Sequence, residues 1–212
     1  GLGDVYKRQG HAWAAKQNGR NQVMMMCSGD GSYGNGRAHE TMLVAANMKL
    51  PLLFICENNQ YSIFSHTSDI HPTEDIASLA SGYGIPATVV DGQDVFAVAE
   101  VVSESLKKIR KGSGPVFIES KTCRYLEHDI GTPDLRGWTP RPKEEIEEYK
   151  KRDPVKLANE HVLETGLFTQ AQVDKIYEEA KAEMVEAEKF LEDYPAIPKP
   201  TVEEMQSWVY AP

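Results

Sequence analysis

Two short apolar runs, each followed at once by a polar cluster rich in glycine or asparagine, constrain this chain more than any other feature. Gln22-Val23-Met24-Met25-Met26-Cys27 leads into Gly29-Asp30-Gly31, and Leu52-Leu53-Phe54-Ile55-Cys56 leads into Glu57-Asn58-Asn59-Gln60-Tyr61. An uninterrupted apolar run bounded by turn residues is the pattern of a strand buried on both faces. Between the two, Asn35 to Met48 reads as a helix apolar on nearly every side, hence buried, and Lys49-Leu50-Pro51 breaks it. His11 to Asn18 reads as the end of an earlier helix, stopped at Gly19. The alternation continues with a helix over Glu74 to Tyr83 and a strand over Ala87 to Val90. Next comes a helix with Val95, Val98, Val102, Leu106 and Ile109 on one face, then a strand over Pro115 to Glu119. Helices and strands joined by short connections predict a doubly wound α/β fold with a mostly parallel sheet and right-handed crossovers.

In such sheets the ligand lies beyond the carboxyl ends of the strands, where both polar clusters fall. Their chemistry suits a magnesium-bound diphosphate. Mg²⁺ takes near-octahedral oxygen ligands and commonly shares its shell with a substrate phosphate. Asp30 offers one hard oxygen, the Asn59 amide a second and the Tyr61 backbone carbonyl a third. Gly29 and Gly31 leave the backbone bare for a phosphate to approach, and the following helix points its positive end the same way. A lone Gly-Asp-Gly is more often a tight turn. Its pairing with the asparagine cluster, 29 residues from Asp30 to Asn59, is what makes the signal specific.

Residues 29–63, GDGSYGNGRAHETMLVAANMKLPLLFICENNQYSI, resemble the thiamine diphosphate motif, and most of all the α subunit of the first component of 2-oxoacid dehydrogenases. That group includes the pyruvate, branched-chain and acetoin enzymes. The resemblance runs from about residue 10 to residue 212 and implies a doubly wound sheet of the thiamine diphosphate-binding type with added C-terminal helices. It implies an oxidoreductase that decarboxylates a 2-oxoacid on thiamine diphosphate and passes the acyl group to a lipoyl carrier. Gly29, Asp30, Gly31, Ser32, Asn59, Tyr61 and His128 are then the cofactor-binding residues, with Asp30, Asn59 and Tyr61 on Mg²⁺. A β subunit in an α₂β₂ assembly and a lipoyl-bearing acyltransferase are the implied partners. Acetoin dehydrogenase, a transketolase-like half and a noncatalytic truncated subunit are the alternatives.

Arg124 to Pro142 has no periodicity and carries proline and glycine, and a loop this long in a compact domain is usually functional or disordered. Cys123-Arg124-Tyr125-Leu126-Glu127-His128-Asp129 aligns with the family's active-site loop, which implies that His128 is the catalytic histidine. A histidine titrating near neutrality can protonate or orient a substrate oxygen. Composition alone would make it surface decoration; its place between Arg124 and Arg141 on a nonperiodic loop points to function. Asp129 stands where mammalian relatives carry a phosphorylated serine, so kinase control at that position is not expected. His66 and His71 flank a polar segment that either lines the cofactor entrance or crosses the surface. His11 and His161 read as structural, and Glu40 as a support for the Gly-Asp-Gly loop. No histidine spacing suits zinc.

The remaining features set bounds. A net charge of −9 argues against a nucleic-acid surface, and no apolar run is long enough for a bilayer. Three cysteines without pairing pattern indicate a reducing, cytoplasmic setting; Cys27 and Cys56 read as core residues of central strands. The acidic helix Lys143–Lys151 reads as a solvated face. A later stripe of Val173, Ile176, Ala180, Met184, Ala187 and Leu191 reads as core in preference to subunit contact. Residues 1–9 match neither a signal peptide nor the family and are expected to be a non-native leader; an uninterrupted reading frame at the locus encoding them would exclude that. Residues 10–194 are expected to form the α/β domain with loop 124–142 and the helices, and residues 195–212 a tail.

Overall fold

The strands of the first half lie side by side because their two faces are both apolar, one covered by three helices and the other by one. In chain order the elements are α1 (Leu2–Gln17), β1 (Met24–Gly29), α2 (Gly36–Asn47), β2 (Leu52–Asn58), the hairpin strands β3 (Tyr61–Ser62) and β4 (Ser65–His66), α3 (Thr67–Ile70), α4 (Ala77–Ser81), β5 (Ala87–Asp91), α5 (Val95–Arg110) and β6 (Val116–Lys121). The computed structural model describes residues 2–128, 141–193 and 200–209. They divide into two compact units, residues 1–161 and 162–212.

In the first unit the main sheet has the order β1-β2-β6-β5, and every pairing in it is parallel. Alternate residues sort to opposite faces. Met26, Leu52, Phe54, Cys56 and Phe117 pack with Ala12 of α1, Ala38, Met42 and Ala45 of α2, and Ala80 of α4. Leu53, Val116 and Ile118 pack on the other face with Ile109 and the Val98, Val102 and Leu106 stripe of α5. Helices on both faces of a parallel sheet are the doubly wound arrangement expected from the pattern. Local chemistry starts and stops the helices. Asn35 Oδ1 accepts the Arg37 N–H at 3.0 Å, and Asp94 Oδ1 accepts those of Phe96 and Ala97. Lys107, Lys108 and Arg110 sit in the last turn of α5, and Gly112, at φ 85°, ends it.

Several expectations need correction. β1 is the edge of the sheet among the described residues, so it is not buried on both faces: Met25 is 49% exposed, and Cys27 is exposed where a core position was expected. Cys56, one strand inward, is buried. Helix α2 buries one face only, with Leu43 more than half exposed. The helix expected over Glu74 to Tyr83 is confined to Ala77–Ser81, beginning where the Ala77 N–H finds the Glu119 carboxylate at 2.7 Å. Strands β1, β2 and β6 run two residues further toward their carboxyl ends than the apolar runs, through Ser28-Gly29, Glu57-Asn58 and Ser120-Lys121.

Helix α6 (Lys143–Lys151) is solvated along most of its acidic face, but Glu145 is ion-paired with the buried Arg141. It is followed by α7 (Pro154–Glu164). In the second unit, α8 (Gln170–Asp193) carries the apolar stripe, of which Val173 is buried while Ile176, Met184 and Leu191 are 52%, 70% and 73% exposed. That stripe is not core; a helical apolar pattern records only that a face avoids water, not which surface covers it. The short α9 (Val202–Ser207) is held by a capping box between Thr201 and Glu204. Asp129, Gly137 to Pro140 and residues 194–199 lie outside the described residues. Among those described, no helix is long and apolar enough to cross a membrane.

Phe54 stacks on Phe117 with ring centroids 6.1 Å apart, and both are fully buried at the centre of the sheet. Phe54→Ala is expected to lower stability by about 3–5 kcal/mol in chemical denaturation.

Candidate functional site

Strand β1 delivers Gly29 to the sheet edge, and the chain turns at once into a 3-10 helix, Asp30–Gly34. That turn puts Asp30 under the protein, 2% exposed. One carboxylate oxygen, Oδ1, accepts the Gly31 N–H at 2.6 Å, while Oδ2 is buried without a hydrogen-bond partner. Gly31 is required by close approach: a Cβ there would lie 2.0 Å from Ser62 Oγ. Tyr33 anchors the turn from below, fully buried with its ring edge on Phe117. From above, the buried His71 places Nε2 3.2 Å from the Asp30 carbonyl. A carbonyl only accepts, so the His71 proton sits on Nε2.

The second wall is the loop leaving β2. Asn58 Oδ1 accepts the Gln60 N–H at 2.8 Å and Asn59 Oδ1 accepts the Tyr61 N–H at 3.0 Å, two successive asparagine turns. They hold Gln60 in a left-handed conformation, φ 69°, unusual for a residue with a side chain. Tyr61 then enters the β3–β4 hairpin opposite His66. The Arg141 guanidinium donates to the Asn59 carbonyl, pairs with Glu145, and lies 4.4 Å from the centre of the Tyr61 ring.

The third wall follows β6. Arg124 donates through Nη2 to the Ile63 carbonyl at 2.9 Å and through Nε to the Leu126 carbonyl at 3.0 Å. Its Nη1 lies 3.4 Å from His128 Nδ1. A guanidinium is always a donor, so Nδ1 is the acceptor and the neutral ring carries its proton on Nε2. Three neighbouring strands, β1, β2 and β6, thus each contribute the residues just past their carboxyl ends.

The structure brings Gly29, Asp30, Gly31, Ser32, Asn59, Tyr61 and His128 around one open cavity of about 410 Å³, joined by Asn35, Ser62, Ile63 and Arg124. A larger cavity of about 460 Å³ touches the same loop through Asn58 and Gln60 and is lined by His66, His71 and Lys121. Asp30 lines the smaller one and not the larger, which decides between them. Burial pushes the Asp30 carboxyl above its ordinary value near 3.8, against the pull of the Gly31, Asn59 and Gln60 backbone amides and the His71 charge. A buried, partnerless carboxylate oxygen facing a half-buried amide suits a hard cation, whose charge would offset the desolvation. One carboxylate, one amide oxygen and a backbone carbonyl leave the rest of an octahedral shell to phosphate and water, as Mg²⁺ prefers. Among the described residues no cluster of three or more His, Cys, Asp or Glu side chains could hold a metal, so a protein-only transition-metal centre has no support here.

Some residues behave otherwise than their sequence context suggests. The Gly31 amide serves Asp30 itself. Glu40 does not brace the loop; it accepts from Tyr6 on α1. Residues that the sequence left undecided or unmarked also contribute. His71 lies 41 positions from the aspartate it touches, and Glu119, at 0% exposure, accepts from Asn58 Nδ2 at 2.7 Å. A buried glutamate at the end of an apolar strand was the one hint available for the second.

The profile of the family described as "Dehydrogenase E1 component" matches residues 3–200. The pyruvate dehydrogenase E1 component subunit alpha of Porphyra purpurea is 31% identical over 209 residues, covering 98% of this chain and 57% of the relative. That of Rickettsia felis is 32% identical over 186 residues, covering 88% of this chain and 56% of the relative. The somatic mitochondrial form of Homo sapiens is 32% identical over 203 residues, covering 95% of this chain and 50% of the relative. The chain therefore spans about half to three-fifths of the length of these relatives. A profile match over nearly the whole chain, on a doubly wound sheet with this site at its carboxyl edge, places the protein in the dehydrogenase E1 component family.

Proposed function

We propose that this chain is the diphosphate-binding part of a 2-oxoacid dehydrogenase E1 α subunit, an oxidoreductase that uses thiamine diphosphate and Mg²⁺. The observation that carries the reading is the orphaned, buried Asp30 oxygen facing the Asn59–Tyr61 loop, in a chain of this family. When bound, thiamine diphosphate supplies a nucleophilic carbon and an electron sink for loss of carbon dioxide from the 2-oxoacid. Asp30, Asn59 and the Tyr61 carbonyl would hold the cation. Gly29 and Gly31 would leave the backbone bare for a diphosphate to approach, and the Gly31 and Ser32 backbone would border it. The ring proton on Nε2 of His128 makes it a donor toward a substrate or acyl-acceptor oxygen. The carboxyl-edge cavity is open on one side, in keeping with a site completed by a second, β subunit in an α₂β₂ assembly. A lipoyl-bearing acyltransferase is the proposed acyl acceptor's carrier. Pyruvate, named in the relatives above, is the first substrate to try. The three unpaired cysteines support a reducing, cytoplasmic setting.

Calorimetry of thiamine diphosphate binding with Mg²⁺, on the full-length protein with its second subunit, tests the reading. Asp30→Asn keeps an acceptor for the Gly31 N–H and removes the charge. It is expected to weaken Mg²⁺-dependent cofactor binding by at least about 100-fold, charge-assisted contacts being the strong ones. The metal-free variant should melt no lower than the parent, because an ionised carboxylate is no longer buried. The sign follows from linkage. A folded-state pKa above the unfolded one means that Asp30 contributes most below the unfolded value and loses that contribution as pH rises through the folded one. His128→Gln should lower turnover by about 10²–10⁴, as for loss of a general acid, a larger effect than its loss of cofactor affinity. Absence of Mg²⁺-dependent binding by the complete assembly would replace the enzyme with a noncatalytic scaffold.

A further inference from the structure

The sheet face that carries Phe54, Cys56 and Phe117 is apolar until it reaches Glu119, a carboxylate at 0% exposure. Burying that group is unfavourable unless donors meet it, and an apolar side chain in such a place is often at least as stable. Two donors do meet it: Asn58 Nδ2 at 2.7 Å and the Ala77 N–H at 2.7 Å. Lys121, next along the same face, is engaged elsewhere, with Asp75. The carboxylate therefore takes its main side-chain hydrogen bond from the first asparagine of the pair.

We infer that Glu119 and Asn58 are a buried positioning pair which sets the metal-holding loop of the site proposed above, on which this inference rests. A carboxylate only accepts, so Asn58 must present its NH₂ to Glu119 and its oxygen to the other side. That oxygen accepts the Gln60 N–H at 2.8 Å and closes the turn in which Gln60 adopts φ 69°. The reversed amide would set oxygen against carboxylate and NH₂ against N–H. Glu119 thus selects one polarity of Asn58, and that polarity holds the strained turn from which Asn59 and Tyr61 enter the cavity. Neither member of the pair lines that cavity; they act through the loop.

The test exchanges donor and acceptor across the pair in the full-length protein with its second subunit. The readouts are the apparent Mg²⁺ constant at saturating thiamine diphosphate and the melting temperature without metal. Glu119→Gln leaves one oxygen for two donors, so its NH₂ is set against the Asn58 NH₂ or the Ala77 N–H, and Asn58→Asp, the sharper single variant, sets two carboxylates together. Each is expected to raise the Mg²⁺ constant by about tenfold or more, the order of a hydrogen bond to a charged group. The double variant Asn58→Asp/Glu119→Gln restores the pattern, since the new amide at 119 donates to the new carboxylate at 58, which still accepts from Gln60. It should return the constant to within about threefold of the parent. Single variants that melt lower yet bind Mg²⁺ like the parent would overturn the inference, as would a folded double variant that binds no better than the singles. Should the singles fail to assemble, the double variant decides alone: parental Mg²⁺ affinity supports the pair, and weak affinity overturns it. A parent that binds no Mg²⁺ with the cofactor is a different result, which removes the proposed function itself and the inference with it.

Discussion

A carboxylate oxygen taken out of water and given no donor is unfavourable, and Asp30 Oδ2 is held in that state by everything around it. The 3-10 turn carries it under the surface, Tyr33 fixes the turn to the core, and His71 grips its carbonyl. The pull of His71 and of the Gly31, Asn59 and Gln60 amides on the carboxylate is smaller than the cost of its burial. The protein thus holds at one point an electrostatic deficit that a cation would offset, and the neighbouring loop contributes neutral oxygens, not a competing cation. Arg141 and Arg124, the nearest guanidinium groups, are directed at backbone carbonyls and at Glu145 or His128.

The sheet makes this possible through a change of character along its strands. Each face is apolar at the amino-terminal side, where helices cover it, and turns polar in the last two residues of β1, β2 and β6. Because all three strands are parallel, their polar ends meet at one edge. Parallel pairing therefore aligns three sequence segments, around Asp30, Asn59 and Arg124, without any of them contacting another in sequence. The buried pair Asn58 and Glu119 sits at the boundary between the two regimes, where the ladder still orders the backbone and the side chains are already hydrogen-bonded.

The errors in reading the elements fall at that same boundary. Apolar periodicity marked β1, β2 and β6 well in their interiors and stopped short at Ser28-Gly29, Glu57-Asn58 and Ser120-Lys121. Periodicity measures burial of carbon, whereas these residues are paired through backbone and serve the site. Burial was misjudged where an element has one uncovered side: Cys27 and Met25 on the edge strand, Leu43 on α2 and the stripe of α8. An apolar run looks alike in a central strand and an edge strand, since strand order is a nonlocal property. Glu40 was misread for a related reason: its partner, Tyr6, belongs to a helix and lies 34 residues earlier.

What the sequence by itself determined was the class of fold and the residue types of the site. Alternating helical and strand patterns predict a parallel sheet, and a carboxylate between glycines followed by paired asparagines at strand ends marks a candidate anion-and-cation site. What only the tertiary structure decided was how those residues are held: the orphaned oxygen of Asp30, the proton on Nε2 of His71, the tautomer of His128 and the polarity of Asn58. The last three each depend on a partner 4 to 61 residues away. Hydrogen bonds are directional and short in range, so their pattern exists only once the chain has brought donor and acceptor within about 3 Å.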